Sequence, residues 1–136
     1  MKNIFIILAV ATTLSACSKS TSNTTTAVTM QSLAGNYKIT AATVAGLDIL
    51  NSYVLPCQVD DIYTLNSDGT YSIADAGTAC TPTSAVSGTW SLNNNQITIG
   101  TQVFTLVKFD GAKIESTTVG TQGGYTVTVT VVFTKQ

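Results

Sequence analysis

Gly123-Gly124-Tyr125-Thr126-Val127-Thr128-Val129-Thr130-Val131-Val132-Phe133-Thr134 alternates apolar and hydroxyl side chains for almost its whole length. Tyr125, Val127, Val129, Val131 and Phe133 share one face of an extended chain; Thr126, Thr128, Thr130 and Thr134 share the other. A period of two marks a strand with one buried face. The Gly pair in front of it opens the strand from a turn.

The same grammar runs back along the chain. Gln102 to Phe109 places Phe104 and Leu106 on one face and Val103, Val107 and Phe109 on the other, with Asp110-Gly111 turning into a strand from Ala112 to Val119. Gln96 to Gly100 presents Ile97 and Ile99, and Asn93-Asn94-Asn95 separates it from Val86 to Leu92, where Trp90 and Leu92 share a face. Gly35 to Val44 alternates Tyr37, Ile39 and Ala41 with polar neighbours. Between Gly46 and Pro56, Leu47, Ile49, Leu50, Tyr53 and Val54 follow helix-like spacing, which predicts one short helix or lid after the first strand.

One hairpin specifies its own register. Cys57 to Leu65 and Thr70 to Asp75 flank Asn66-Ser67-Asp68-Gly69. A two-residue Asp68-Gly69 turn would set Leu65 opposite Ser72. A three-residue loop ending with Gly69 in the left-handed region pairs Leu65 with Tyr71 and Tyr63 with Ile73, keeping four large apolar side chains on one face. Burial favours the second register, because a one-residue slip moves the whole apolar set to solvent.

The sum is an all-β chain of about eight short strands joined by hairpin-length links. That predicts a small up-and-down antiparallel β-barrel, in which closure removes the exposed edges. A β-sandwich is the alternative that short regular strands leave open.

The N-terminus has a different character. Lys2, an apolar run from Ile4 to Val10, and small residues from Ala11 to Ala16 follow the order of an export signal. The run is too short to cross a bilayer, which takes about 20 residues. Leu14-Ser15-Ala16-Cys17 resembles the lipobox of bacterial lipoproteins, which implies a signal peptide over 1–16, cleavage before Cys17, and lipid on that residue. Several acyl chains would anchor the protein to a membrane durably. The Ser/Thr/Asn-rich stretch after Cys17 has no periodicity and reads as a disordered tether over 17–31, leaving 32–136 for the barrel domain. Ser18, rather than an acidic residue, follows the Cys, so the periplasmic face of the outer membrane is the expected location.

The chain of 136 residues has three Cys. With Cys17 lipidated, Cys57 and Cys80 remain, and in an oxidising compartment an even remainder reads as a disulfide. It would contribute about 3 kcal/mol through loop entropy.

Composition excludes several chemistries. There is no His, so Ser/His and Cys/His nucleophile pairs are ruled out and zinc loses its commonest ligand. All six basic residues are Lys. Without Arg forks or clustered cations, nucleic-acid binding is disfavoured. Asp60 and Asp61, as strand neighbours, would point to opposite faces and could not work on one bond together. Asp68 and Asp75 lack the spacing of a calcium loop. Neither a cofactor nor a metal is expected, and the domain should be a monomer without enzymatic activity.

Taken together, Leu33-Ala34-Gly35-Asn36-Tyr37-Lys38-Ile39, Cys57-Gln58-Val59-Asp60-Asp61-Ile62-Tyr63-Thr64-Leu65, Asp68-Gly69-Thr70-Tyr71, Cys80 and Gly88-Thr89-Trp90-Ser91-Leu92 resemble the lipocalin-like domain of Bacteroidota lipoproteins. The resemblance runs from about Leu33 to Thr118. Tyr37 departs from it, standing where that family usually has a Trp to plug the closed barrel end. What it implies is an eight-stranded barrel that binds a small hydrophobic molecule. The aromatic set Tyr37, Tyr63, Tyr71, Trp90, Phe104 and Tyr125, joined by Phe133, would line such a site. The same residues would equally fill a solid barrel, the form expected of an interaction lipoprotein that contacts an envelope partner.

Overall fold

In the computed structural model, which describes residues 27–136, the Asn66–Gly69 hairpin adopts the register that its apolar pattern demands. Leu65 pairs with Tyr71 and Tyr63 with Ile73, and Gly69 sits at φ +87°, where only glycine is unstrained. The expected signal peptide and lipid-bearing Cys17 lie outside the described residues.

The elements are α1 (Met30–Leu33), β1 (Gly35–Val44), β2 (Leu47–Asp48), α2 (Leu50–Tyr53), a 3-10 turn (Pro56–Gln58), β3 (Ile62–Leu65), β4 (Thr70–Ala74), β5 (Val86–Asn93), β6 (Gln96–Ile99), β7 (Gln102–Phe109), β8 (Lys113–Gln122) and β9 (Tyr125–Lys135). Strands β3 to β9 pair in chain order, all antiparallel, and β1 joins β3 on one side and β9 on the other. The sheet therefore closes as an eight-stranded up-and-down barrel, with the two-residue β2 as an extra flap on β1. A sandwich is excluded by the β1–β9 closure.

The barrel has a closed base and an open mouth. The base carries α1 and the β3–β4, β5–β6 and β7–β8 turns; the mouth carries α2, the long β4–β5 connection and the β6–β7 and β8–β9 turns. Base packing begins before the expected domain boundary at residue 32. Thr29 and Ser32 cap α1 reciprocally, and Val28 and Met30 pack against the core. The fully buried Tyr37 donates its hydroxyl to the Leu33 carbonyl at 2.7 Å. Trp90 donates its indole N–H to the Asn66 carbonyl at 2.8 Å. Leu33, Tyr37 and Trp90, all buried in one core, thus seal the base jointly.

Burial pushes the Tyr37 phenol up to about 12. An unfolded chain releases that proton near pH 10, whereas the folded one holds it. Stability is therefore complete below about pH 10 and declines as pH rises towards 12. Alkaline unfolding followed by circular dichroism, with phenolate absorbance in parallel, should show tyrosine ionisation and unfolding together. In Tyr37→Phe the Leu33 carbonyl loses its partner, an expected cost of about 1–2 kcal/mol in urea unfolding.

Two strands break the period-two pattern through bulges. Between Ile39 and Ala41 the β1–β9 register shifts. Thr40 is the extra residue, so Ala42 rather than Ala41 is fully buried. Between Leu106 and Lys108 the β7–β8 register shifts, and Phe109 returns to the inner side opposite Ile114, against the outward placement that plain alternation predicts. A bulge adds one residue on one strand and resets its phase.

The strand expected from Cys57 is also shorter. Pro56 starts a 3-10 turn, the Leu55 amide donates to Gln58 Oε1 at 3.1 Å, and pairing begins only at Ile62. Asp60 and Asp61 therefore precede the strand rather than alternating within it.

Candidate functional site

The upper half of the barrel holds an open cavity of about 530 Å³, within the usual range of small-molecule sites. Its wall comes from inward positions of the strands, including Ile39, Tyr71, Ile73 and Ile99, and its roof from Tyr53, Val54 and Gln58 of the lid. Its floor is aromatic. Phe133 meets Tyr63 and Phe104 edge to face, at centroid distances of 5.7 and 5.5 Å. Beneath this floor, between Tyr37, Leu65, Ile97 and Ile114, only about 10 Å³ remains, roughly room for one water. The barrel is packed below and hollow above.

Two glycines keep the cavity open. A Cβ on Gly88 would stand 2.8 Å from Tyr71 Cε1, and one on Gly100 would stand 2.7 Å from the Tyr71 hydroxyl. The Tyr71 ring lies in the space they leave, against the wall instead of across the mouth. Gly88→Ala should force the ring inward and cost about 1–3 kcal/mol by overpacking. A crystal structure of the variant and its thermal midpoint check both effects.

The lid follows from the way β1 meets its neighbours. Its pairing with β3 covers only Gly35 to Tyr37, so the wall above is open at that seam. There the chain folds back as β2 and α2, the Ile49 amide donates to the Ala42 carbonyl at 2.8 Å, and Val54 is buried in the core. Cys57 and Cys80 form the disulfide read from the sequence, joining the lid to the β4–β5 connection. Asp75 organises that connection by accepting from the Thr83 hydroxyl at 2.7 Å and from the amides of Cys80 and Ser84. Those bonds, the Thr83 hydroxyl foremost, hold its carboxyl below the usual range. Asp60 accepts from the Thr78 amide at 3.2 Å and Asp61 from the Ala76 amide at 3.3 Å. These three carboxyls shape a loop, and among the described residues no cluster of three potential metal ligands occurs.

The aromatic residues expected at a ligand site divide three ways. Tyr63, Tyr71 and Phe104 line the cavity. Tyr37 lies beneath the floor, and Trp90 is part of the base, off the cavity. Tyr125 does not belong to the interior and is 76% exposed. It shares the inward face of β9, but the last β1–β9 pair is Thr43 with Thr130. The β8–β9 hairpin, turned by Gly123 and Gly124 at φ +57° and +83°, overshoots the rim there and leaves Tyr125 no barrel to face. Tyr53 and Val54 were missed because they come from the lid. Ile73 and Phe133 carried the signal of a shared apolar face.

Burial, then the neighbouring Asp61 and Tyr53, push the Tyr63 phenol up to about 12. The cavity sets apolar side chains beside tyrosine and threonine hydroxyls and the amides of Gln58 and Gln102, all of them neutral.

A scan against protein-family models matches residues 33–134 to one family, described as the lipocalin-like domain. No curated protein and no solved structure gives a significant match. The lipocalin-like fold is typically a binding fold rather than a catalytic one. A match over most of the chain, on a closed eight-stranded barrel with an open apolar mouth, shows that this chain belongs to the lipocalin-like domain family.

Proposed function

We propose that the protein is a lipid-anchored lipoprotein of the cell envelope whose barrel binds a small hydrophobic molecule without catalysing its conversion. The observation that carries the binding reading is the 530 Å³ mouth cavity over an aromatic floor. Its apolar wall favours a ligand by removing apolar surface from water, at about 25 cal/mol per Å² before the costs of association. The missing His removes the usual general base. The anchor rests on the signal-like N-terminus and the lipobox ending in Cys17, and the outer membrane facing the periplasm is the location in keeping with Ser18.

Trp90 is a poor optical reporter, because it lies away from the cavity. Calorimetry, or the emission of a neutral solvatochromic dye such as Nile red, reads the site directly. Saturable binding with a stoichiometry near one is expected, and Ile73→Trp, which fills the mouth, should abolish it. Equal dye uptake by both proteins would sink the reading. For the anchor, radiolabelled palmitate should enter the wild-type protein and not Cys17→Ser.

A second reading, an interaction lipoprotein, draws on Leu47 and Leu55, which are 72% and 60% exposed at the lid. Crosslinking in native membranes from Leu47 positions would recover a protein partner if that face docks one.

A further inference from the structure

The wall of the barrel is split beside the mouth. The β7–β8 ladder runs from Phe109 with Ile114 only as far as Thr105 with Thr117. Above that, the backbones of Gln102 to Phe104 and Thr118 to Gly120 are not paired to each other, and the Thr118 hydroxyl bridges to the Val103 carbonyl at 2.8 Å. Outside the split lies a groove of about 480 Å³. The groove and the mouth cavity share Thr101, Gln102, Thr118 and Val119, so the two spaces adjoin across the split, with the Thr118–Val103 hydrogen bond as its bridge. Beyond the shared residues the groove is lined by Val103 and by Gln96, Thr105, Thr117 and Thr128, the last four with neutral hydrogen-bonding side chains.

Charge is distributed just as unevenly. No charged residue lines the cavity or the groove. Among the described residues the four lysines are Lys38, Lys108, Lys113 and Lys135, and each takes its place in the ladders at the base. The lid and the β4–β5 connection carry Asp48, Asp60, Asp61 and Asp75 and no cation. An ionised carboxylate brought into the mouth would lose its hydration without a cation to replace it, and would meet a field of its own sign. An ammonium group would also find no carboxyl on the lining.

We propose that the ligand is an uncharged, elongated amphiphile, its hydrocarbon part on the aromatic floor and its hydroxyl- or ester-bearing end leaving through the β7–β8 split. This rests on the small-hydrophobe reading and adds to it both a charge class and a direction. The test uses three ten-carbon ligands at about pH 8, where a carboxylic acid is ionised and an amine protonated: decanol, decanoate and decylammonium. Each is titrated calorimetrically and by displacement of Nile red. Decanol is expected to bind at least about 10-fold more tightly than either ion. Decanoate within about twofold of decanol, or decylammonium as the tightest, would overturn the charge class while leaving the binding site intact. If neither the dye nor any of the three binds, the small-hydrophobe reading itself falls.

The split is tested with decanoyl glycerol, whose head is larger than that of decanol. Val103→Trp and, separately, Thr128→Trp change exposed residues that line the groove but not the cavity, so the fold should tolerate both. Each should weaken the glycerol ester about 10-fold and leave decanol nearly unchanged. Equal losses for both ligands, or no loss for either, would remove the side exit.

Discussion

Replacing Phe133 with alanine is expected to cost the domain about 3–5 kcal/mol, the usual range for an aromatic residue deleted from a packed core. The ring is nearly buried and holds Tyr63 and Phe104 in the edge-to-face floor. Its backbone also sits where β9 closes the barrel, opposite Ile39 on β1 and Ile114 on β8. Deleting the side chain should do two things that rarely go together. It should lower the urea midpoint, and it should join the mouth cavity to the small void below, so that the variant accepts a longer ligand than the wild type. Urea unfolding measures the first effect, and a chain-length series of alcohols measures the second. A cost below about 1 kcal/mol would mean that the floor is not the packed layer it resembles.

The second large effect is expected from the Cys57–Cys80 pair. The bridge spans a sequence separation of 23 residues, and loop entropy alone assigns it about 3 kcal/mol. Its placement predicts where that loss will be felt. Both cysteines belong to the mouth, whereas the base is held by Leu33, Tyr37 and Trp90 independently of them. In Cys57→Ser/Cys80→Ser, amides of the lid such as Ile49 and Val54, and those of the β4–β5 connection such as Cys80 and Ser84, should exchange with solvent much faster. The Trp90 amide, which donates to the Gly69 carbonyl, should change only by the global loss. Uniform acceleration of all these amides would show that mouth and base unfold as one unit.

These contrasts follow the line between what the amino-acid pattern reveals and what it conceals. Leu65 against Tyr71 was legible because only one register buries four large side chains together. The inward face of β9 was legible because Val127, Val129, Val131 and Phe133 repeat every second position. Ala42 and Phe109 were not, since the bulges at Thr40 and Val107 reset the phase and bulges leave no periodic trace. Tyr125 misled for another reason. Periodicity reports which face a side chain is on, but not whether a wall stands opposite it, and that depends on where β1 stops. The cavity was the least legible feature. Aromatic residues that fill a barrel and those that line one have the same spacing, and the difference here came from Gly88 and Gly100, two absent side chains that let Tyr71 lie flat. The disulfide was accessible to arithmetic, because setting Cys17 aside as the expected lipidation site leaves two cysteines to pair.

The position of α1 sets the end at which the chain joins the barrel. The described chain enters at the sealed base, with Val28 and Met30 packed there, and the mouth opens at the far end of the barrel. A tether upstream of Val28 would therefore join the domain at its sealed end and leave the rim free of the chain that leads to it.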